Sequence, residues 1–162
     1  MKIPDTVEKV STLLKDLRFN GEIFYHEQAG TSTEEAVRAT GLDSQQIIKC
    51  LLLKSKNNQY LGAIVIGRDR VDFRVIEHLS GYKDLRMASI EEVISQLGFE
   101  IGGVPAIIFF AKNIRTYIDT KVLLLNSVVG SGGSPFYGMR FNPKQLPLLN
   151  YIPANITKRS SP

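Results

Sequence analysis

Tryptophan is absent, and cysteine occurs once, at Cys50, in a chain of 162 residues. A single thiol cannot form an internal disulfide, which fits a reducing compartment. With only two histidines beside it, a structural zinc site is poorly supplied with ligands. The chain also lacks a Gly-x-Ser-x-Gly elbow, a His-Glu-x-x-His pair, a Walker A loop, an RNA-recognition-motif signature and any block of Lys and Arg. No apolar run approaches the roughly 20 residues needed to span a bilayer. The longest, 104–111 and 122–125, are strand-sized. The first five residues are polar and carry no signal-peptide apolar region. The expectation is a cytoplasmic protein with no membrane partner.

What the chain does have is an ordinary globular composition, 43% hydrophobic and 22% charged. Its length suits one domain with a real core. The net charge of +4 and a pI near 9.2 permit a polyanionic partner without requiring one.

Residues 5–19 carry Val7, Val10, Leu13, Leu14 and Leu17 at helical spacing, and Asp5 is placed to cap them. Asn20-Gly21 stops that helix, and 23–26 reads as a short strand ending in His26. Ser32 and Glu35 form a capping box that opens a second helix, ended by Gly41. After a helical turn at 43–46, the apolar run 47–53 and the run 60–66 predict a hairpin around the turn 56–59. The polar turn 67–70 precedes a short strand and a helix over 71–79, with Val75, Ile76 and Leu79 inward. Met87-Ala88 reads as a brief strand, and Ser89 with Glu92 is a second capping box for a helix ending before Gly98. Strands are predicted at 106–111, 116–119 and 136–141, and Asn142-Pro143 opens a last helix reaching about Leu149. Residues 151–162 read as a loosely held tail. Elements interleave but hairpins dominate, which predicts a single α/β (α+β) domain. Its sheet is mixed and mostly antiparallel, surrounded by helices, over residues 1–150.

Lys49 is the most informative single residue. A charge inside the run Ile-Ile-Lys-Cys-Leu-Leu-Leu either points to solvent from a strand face or acts, because an unpaired buried ammonium is costly. Cys50, in the same run, reads as a buried and inert small hydrophobe. His26 and Asp119 each end a strand, where a capping or turn role is the simplest one. Asp69 and Asp72 around Arg70 read as a charge-balanced surface. Two glycine segments stand out, Gly102-Gly103-Val104-Pro105 and Gly130-Ser131-Gly132-Gly133-Ser134-Pro135. Each reads as a tight turn, or as exposed N–H groups able to hold a carbonyl oxygen or a phosphate.

Lys49-Cys50-Leu51 after a helix and turn, Val71-Asp72, the helix ending in Gly98, the two glycine segments, the strand ending in Asp119 and Phe141-Asn142-Pro143-Lys144-Gln145-Leu146 occur in a familiar order. Over roughly residues 20–150 the chain resembles the YbaK/ProX family of aminoacyl-tRNA editing domains, related to the insertion domain of bacterial prolyl-tRNA synthetase. The resemblance implies hydrolysis of the ester joining a wrong amino acid to tRNA, with no metal or organic cofactor. It implies catalytic roles for Lys49, Gly102 and Gly103, and substrate-binding roles for His26, Val104, Pro105, Asp119, Gly130, Ser131, Gly132 and Gly133. The attacking water would be activated by a ribose hydroxyl of the substrate itself. The partners implied are the acceptor end of a mischarged tRNA and an aminoacyl-tRNA synthetase. The chain departs from the pattern at Pro105-Ala106-Ile107-Ile108, where the family continues to another Pro and a Gly, and at Cys50, where the family more often has Thr. The alternative is a non-catalytic module of the same fold that binds tRNA ends, nucleotides or a protein.

Overall fold

The computed structural model describes residues 2–158 apart from Gln28 and Ser32, with Ala39 described by its backbone alone. In chain order the elements are α1 (Asp5–Leu17), β1 (Gly21–Tyr25), α2 (Thr33–Thr40), β2 (Ile48–Lys54), β3 (Tyr60–Ile66), α3 (Phe73–Ser80), β4 (Arg86–Met87), α4 (Ile90–Leu97), α5 (Ile108–Ala111), β5 (Thr116–Asp119), α6 (Thr120–Leu123), β6 (Val128–Ser134), β7 (Tyr137–Phe141) and β8 (Ile152–Ala154). Single 3-10 turns lie at Ser44–Gln46 and Pro143–Leu149.

The strands form two sheets. One is antiparallel in the order β1-β7-β6; the other runs β4-β2-β3-β5-β8. In the second, β4-β2-β3 is antiparallel and β3-β5-β8 parallel. This is the α+β domain with mixed sheets flanked by helices that the interleaved hairpins predict. The sheets touch through a parallel bridge between Ile47 and Val129. One apolar cluster, including Ile48, Leu52, Leu97, Ile107 and Phe109, fills the space around both. A second, around Leu53, Leu61 and Ile76, lies under α3 on the other face of the larger sheet.

Elements with local signals form as the sequence predicts. Ser89 and Glu92 cap α4 reciprocally, and Asn142 caps the last turn with Pro143 at its start. Ser55 accepts from the amides of Asn57 and Gln59 and so closes the β2–β3 turn. Of the predicted Ser32–Glu35 box, Ser32 lies outside the described residues; Glu35 accepts from the amide and hydroxyl of Thr31.

Several expectations are corrected. Asp5 does not cap α1; Pro4 holds that place, and Asp5 sits in the first turn, where its charge favours the helix dipole. Leu79 points outward while Ile76 is fully buried. Residues 106–111 are a turn and the short helix α5, not a strand. Ala106, Ile107 and Phe109 are all fully buried, and a continuous apolar run cannot distinguish a buried strand from a buried helix. The Gly130–Ser134 stretch is not an exposed loop but most of β6, paired with β7 and shifted in register between Ser131 and Ser134. Residues 151–158 are not a loose tail. Tyr151 and Ile156 are buried, β8 pairs with β5, and Val71 bridges to Thr157.

Candidate active site

The sheets diverge from the Ile47–Val129 bridge. At its other end β2 meets β4, which pairs only with Leu53 and Lys54. Between these contacts one edge of β2 has no strand partner among the described residues. The Leu52 carbonyl accepts from the Ala88 amide on that side, whereas the Ile47 carbonyl accepts from Gly67 on the other. Backbone direction alternates along an antiparallel strand, so Ile48 and Cys50 also turn their peptide groups to the open edge.

A cavity of about 270 Å³ occupies that gap. Its wall is β2 from Ile48 to Leu52, faced by Gly130 and Ser131 of β6, by α2, by Gly102 and Val104, and by Val93 and Leu97 of α4. Its lining is mixed: Lys49 and Thr33 of α2 are polar, Val93 and Leu97 are apolar, and Ala88 is held to Leu52 by its amide.

Lys49 is half-buried in this wall. Burial lowers the pKa of its ammonium; Asp69 and Glu34 oppose that shift and Arg70 adds to it. Among the described residues no carboxylate lies within 4.0 Å of it. The cavity therefore presents a cation that no described carboxylate neutralises at contact distance. His26 follows β1, donates its amide to the Phe136 carbonyl, and lines the same cavity.

Cys50 lines the cavity too, with its thiol pushed up to about 12 by burial. The thiolate is thereby disfavoured. Iodoacetamide should therefore label the part-buried Cys50 more slowly in the native protein than in the urea-unfolded chain, as followed by mass spectrometry. Equal labelling would show that the native environment does not suppress the thiolate.

The two glycine segments divide. Gly102 takes a left-handed backbone, φ +85°, and lines the cavity with Val104; Gly103 and Pro105 lie behind them, buried. The Gly103 amide donates to the Glu100 carbonyl at 2.9 Å, so it is occupied within the loop. Gly130 and Ser131 line the cavity, but Gly132 and Gly133 do not. Those two make the bulge in β6 possible. A Cβ on Gly132 would stand 2.9 Å from the Gly138 carbonyl oxygen, and one on Gly133 2.8 Å from that of Thr6 in α1. Asp119 is likewise away from the cavity. Its carboxylate accepts from the amides of Lys121 and Ile156, capping α6 and holding the C-terminal segment.

One residue that supports the segment after the Gly102–Pro105 loop carried no sequence signal. Tyr151, read as part of a tail, inserts its buried phenol behind the Gly102–Pro105 loop. It donates to the Ala106 carbonyl at 2.6 Å and accepts from the Phe110 amide at 3.1 Å. Burial raises its pKa, so it remains a neutral donor. Tyr151→Phe removes the partner of the buried Ala106 carbonyl and of the part-buried Phe110 amide, and should cost about 1–3 kcal/mol in urea denaturation. An unchanged midpoint would contradict that bridging role.

The gap at the sheet edge is thus a half-enclosed cavity whose described lining combines Lys49 and His26 with apolar side chains of β2 and α4. Comparison with known proteins places the chain more closely. Residues 26–147 match the model of the aminoacyl-tRNA editing domain, and the chain belongs to that family. It is 25% identical over 141 residues to an uncharacterized protein, YwhH, of Bacillus subtilis (strain 168), covering 87% of this chain and 88% of that protein. It is 29% identical over 105 residues, 64% of this chain, to a proline–tRNA ligase of Caldicellulosiruptor bescii, of which it spans 18%. Among solved structures, a candidate trans-editing enzyme for prolyl tRNA synthetase superposes with a TM-score of 0.84 and 26% identity, over 98% of this chain and 100% of that one. A hypothetical protein shares the fold with a TM-score of 0.85 at 22% identity, over 93% of this chain and 99% of that one.

Proposed function

We propose that the protein is a free-standing trans-editing hydrolase that cleaves the ester between a wrongly attached amino acid and the terminal adenosine of a tRNA. The observation that carries this reading is the placement of Lys49, without a carboxylate at contact distance, beside the unpartnered backbone of β2 in a cavity also lined by Gly102, Val104 and Gly130. Ester hydrolysis needs a cation for the flanking phosphate, donors for the developing oxyanion and a positioned water. Lys49 supplies the first. Backbone amides of the Gly102–Val104 loop and the β2 edge, Gly103 excepted, supply the second. Among the described residues no carboxylate lines the cavity; in this reading the water is activated from the substrate, by the free ribose hydroxyl next to the ester. The aminoacyl side chain sits toward Leu52, Val93 and Leu97, and the phosphate toward Lys49.

The test is a panel of mischarged tRNAs with release of the amino acid as the readout. Hydrolysis of at least one member, with correctly charged tRNA spared, supports the proposal. Binding of tRNA without release from any member would make the chain a binding module on the same fold.

A further inference from the structure

The charged turn between β3 and α3 has no part in the chemistry above, yet it abuts the cavity wall. The Gly67 amide donates to the Ile47 carbonyl at 2.7 Å, and a Cβ on Gly67 would stand 2.5 Å from Oγ1 of Thr33. Ile47 and Thr33 both line the cavity. The turn reads Gly67-Arg68-Asp69-Arg70, and its charges do not cancel locally. The Asp69 carboxylate turns to Lys121, 2.7 Å away. Arg68 and Arg70 are exposed and have no carboxylate within 4.0 Å among the described residues. Nearby Asp72 accepts from the amides of Arg74 and Val75 at the start of α3. The C-terminal segment runs alongside: Lys158 donates its amide to the Arg70 carbonyl at 2.8 Å, and Lys158 is exposed. Arg70 lies close enough to Lys49 to oppose its charge, and Glu34 of α2 is the acidic group felt from the other side.

We propose that Arg68, Arg70 and Lys158 form a phosphate-binding shoulder at the mouth of the cavity, which holds the single-stranded RNA leading to the nucleotide engaged by Lys49. This rests on the editing reading above for what enters the cavity. Two arginines offer fork-shaped donors that match phosphate oxygens. A strand of phosphates releases counterions when such groups displace them, so binding through the shoulder is steeply salt-dependent. The turn is pinned by its bonds to Ile47 and Lys158, so little ordering is required on contact.

The test uses the full chain and unacylated tRNA, with Kd measured across a salt series for wild type, Arg68→Gln/Arg70→Gln and a charge-matched control on α1, Lys9→Ala/Lys15→Ala. The shoulder variant should bind several-fold more weakly, and its log–log salt slope should fall by about 1 per arginine. The control should keep the wild-type slope. In deacylation assays the variant should show a raised KM with kcat kept. Wild-type binding and slope in the shoulder variant, or an equal loss in the control, would overturn the shoulder. Because unacylated tRNA reports binding alone, absence of amino-acid release from the mischarged panel would count against the editing reading separately.

Discussion

Lys49→Ala is expected to cut the release of amino acid from mischarged tRNA by about 10²-fold or more, the usual cost of losing one preorganised stabilising group. The fold should survive. Among the described residues no carboxylate lies within 4.0 Å of the ammonium, so none of them is left unpaired, and removing a half-buried cation relieves a desolvation cost. Thermal unfolding of the variant should therefore match or exceed that of wild type. Lys49→Arg should retain part of the activity, since it keeps the charge while changing its reach. The pH dependence follows from the same burial. The cation is present below the lowered pKa and is lost as pH rises through it. Affinity for tRNA should therefore fade on the alkaline side earlier than an ordinary lysine would allow. Full single-turnover rates in Lys49→Ala would remove this residue from the mechanism.

The second large effect separates glycines that look alike in sequence. Gly133→Ala should destabilise the protein severely. Its φ of +112° is left-handed, and the added Cβ would stand 2.8 Å from the Thr6 carbonyl oxygen and 3.0 Å from Val10. The backbone conformation alone costs about 1–3 kcal/mol, and each kcal/mol lowers Tm by about 2–4 °C in a chain of this size. The clash with α1 adds to that. Gly130→Ala meets the flexible Ile48 side chain at 3.3 Å and the Phe141 ring at 4.0 Å, with no positive φ. It should leave Tm nearly unchanged and reduce deacylation by narrowing the cavity. If both variants melted like wild type, the bulge would not depend on Gly133.

This contrast shows what could be read without coordinates. Helix caps and the β2–β3 hairpin depend on residues a few positions apart, so Ser89 with Glu92 and Asn142 with Pro143 announce themselves. Lys49 was legible for a related reason, because a charge in an apolar run demands an explanation wherever the chain folds. The glycines of β6 did not reveal their roles. Gly130 faces a cavity and Gly133 faces a helix, and only the approach of α1 decides which. Ala106 and Ile107 are buried on every side, so their pattern has no period to read. Tyr151 was hidden in a polar-looking segment because its partners, Ala106 and Phe110, are more than forty positions away. The stretch around Arg70 looked charge-balanced because Asp69 and Asp72 flank it, whereas Asp69 pairs with Lys121 on another element and Asp72 accepts from the amides of Arg74 and Val75.

The central claim is that the aminoacyl end of tRNA occupies the cavity at the β2 edge. The most direct measurement is NMR titration of the protein with a non-hydrolysable amide analogue of the aminoacyl-adenosine end carrying its 5′ phosphate. The account predicts that backbone amide shifts concentrate at Lys49, Cys50, Gly102, Val104, Gly130 and Ser131, and that they vanish or need far more ligand in Lys49→Ala. Shifts confined to the groove beside α1 at Ser11, Lys15 and Arg18, or unchanged by loss of Lys49, would contradict it.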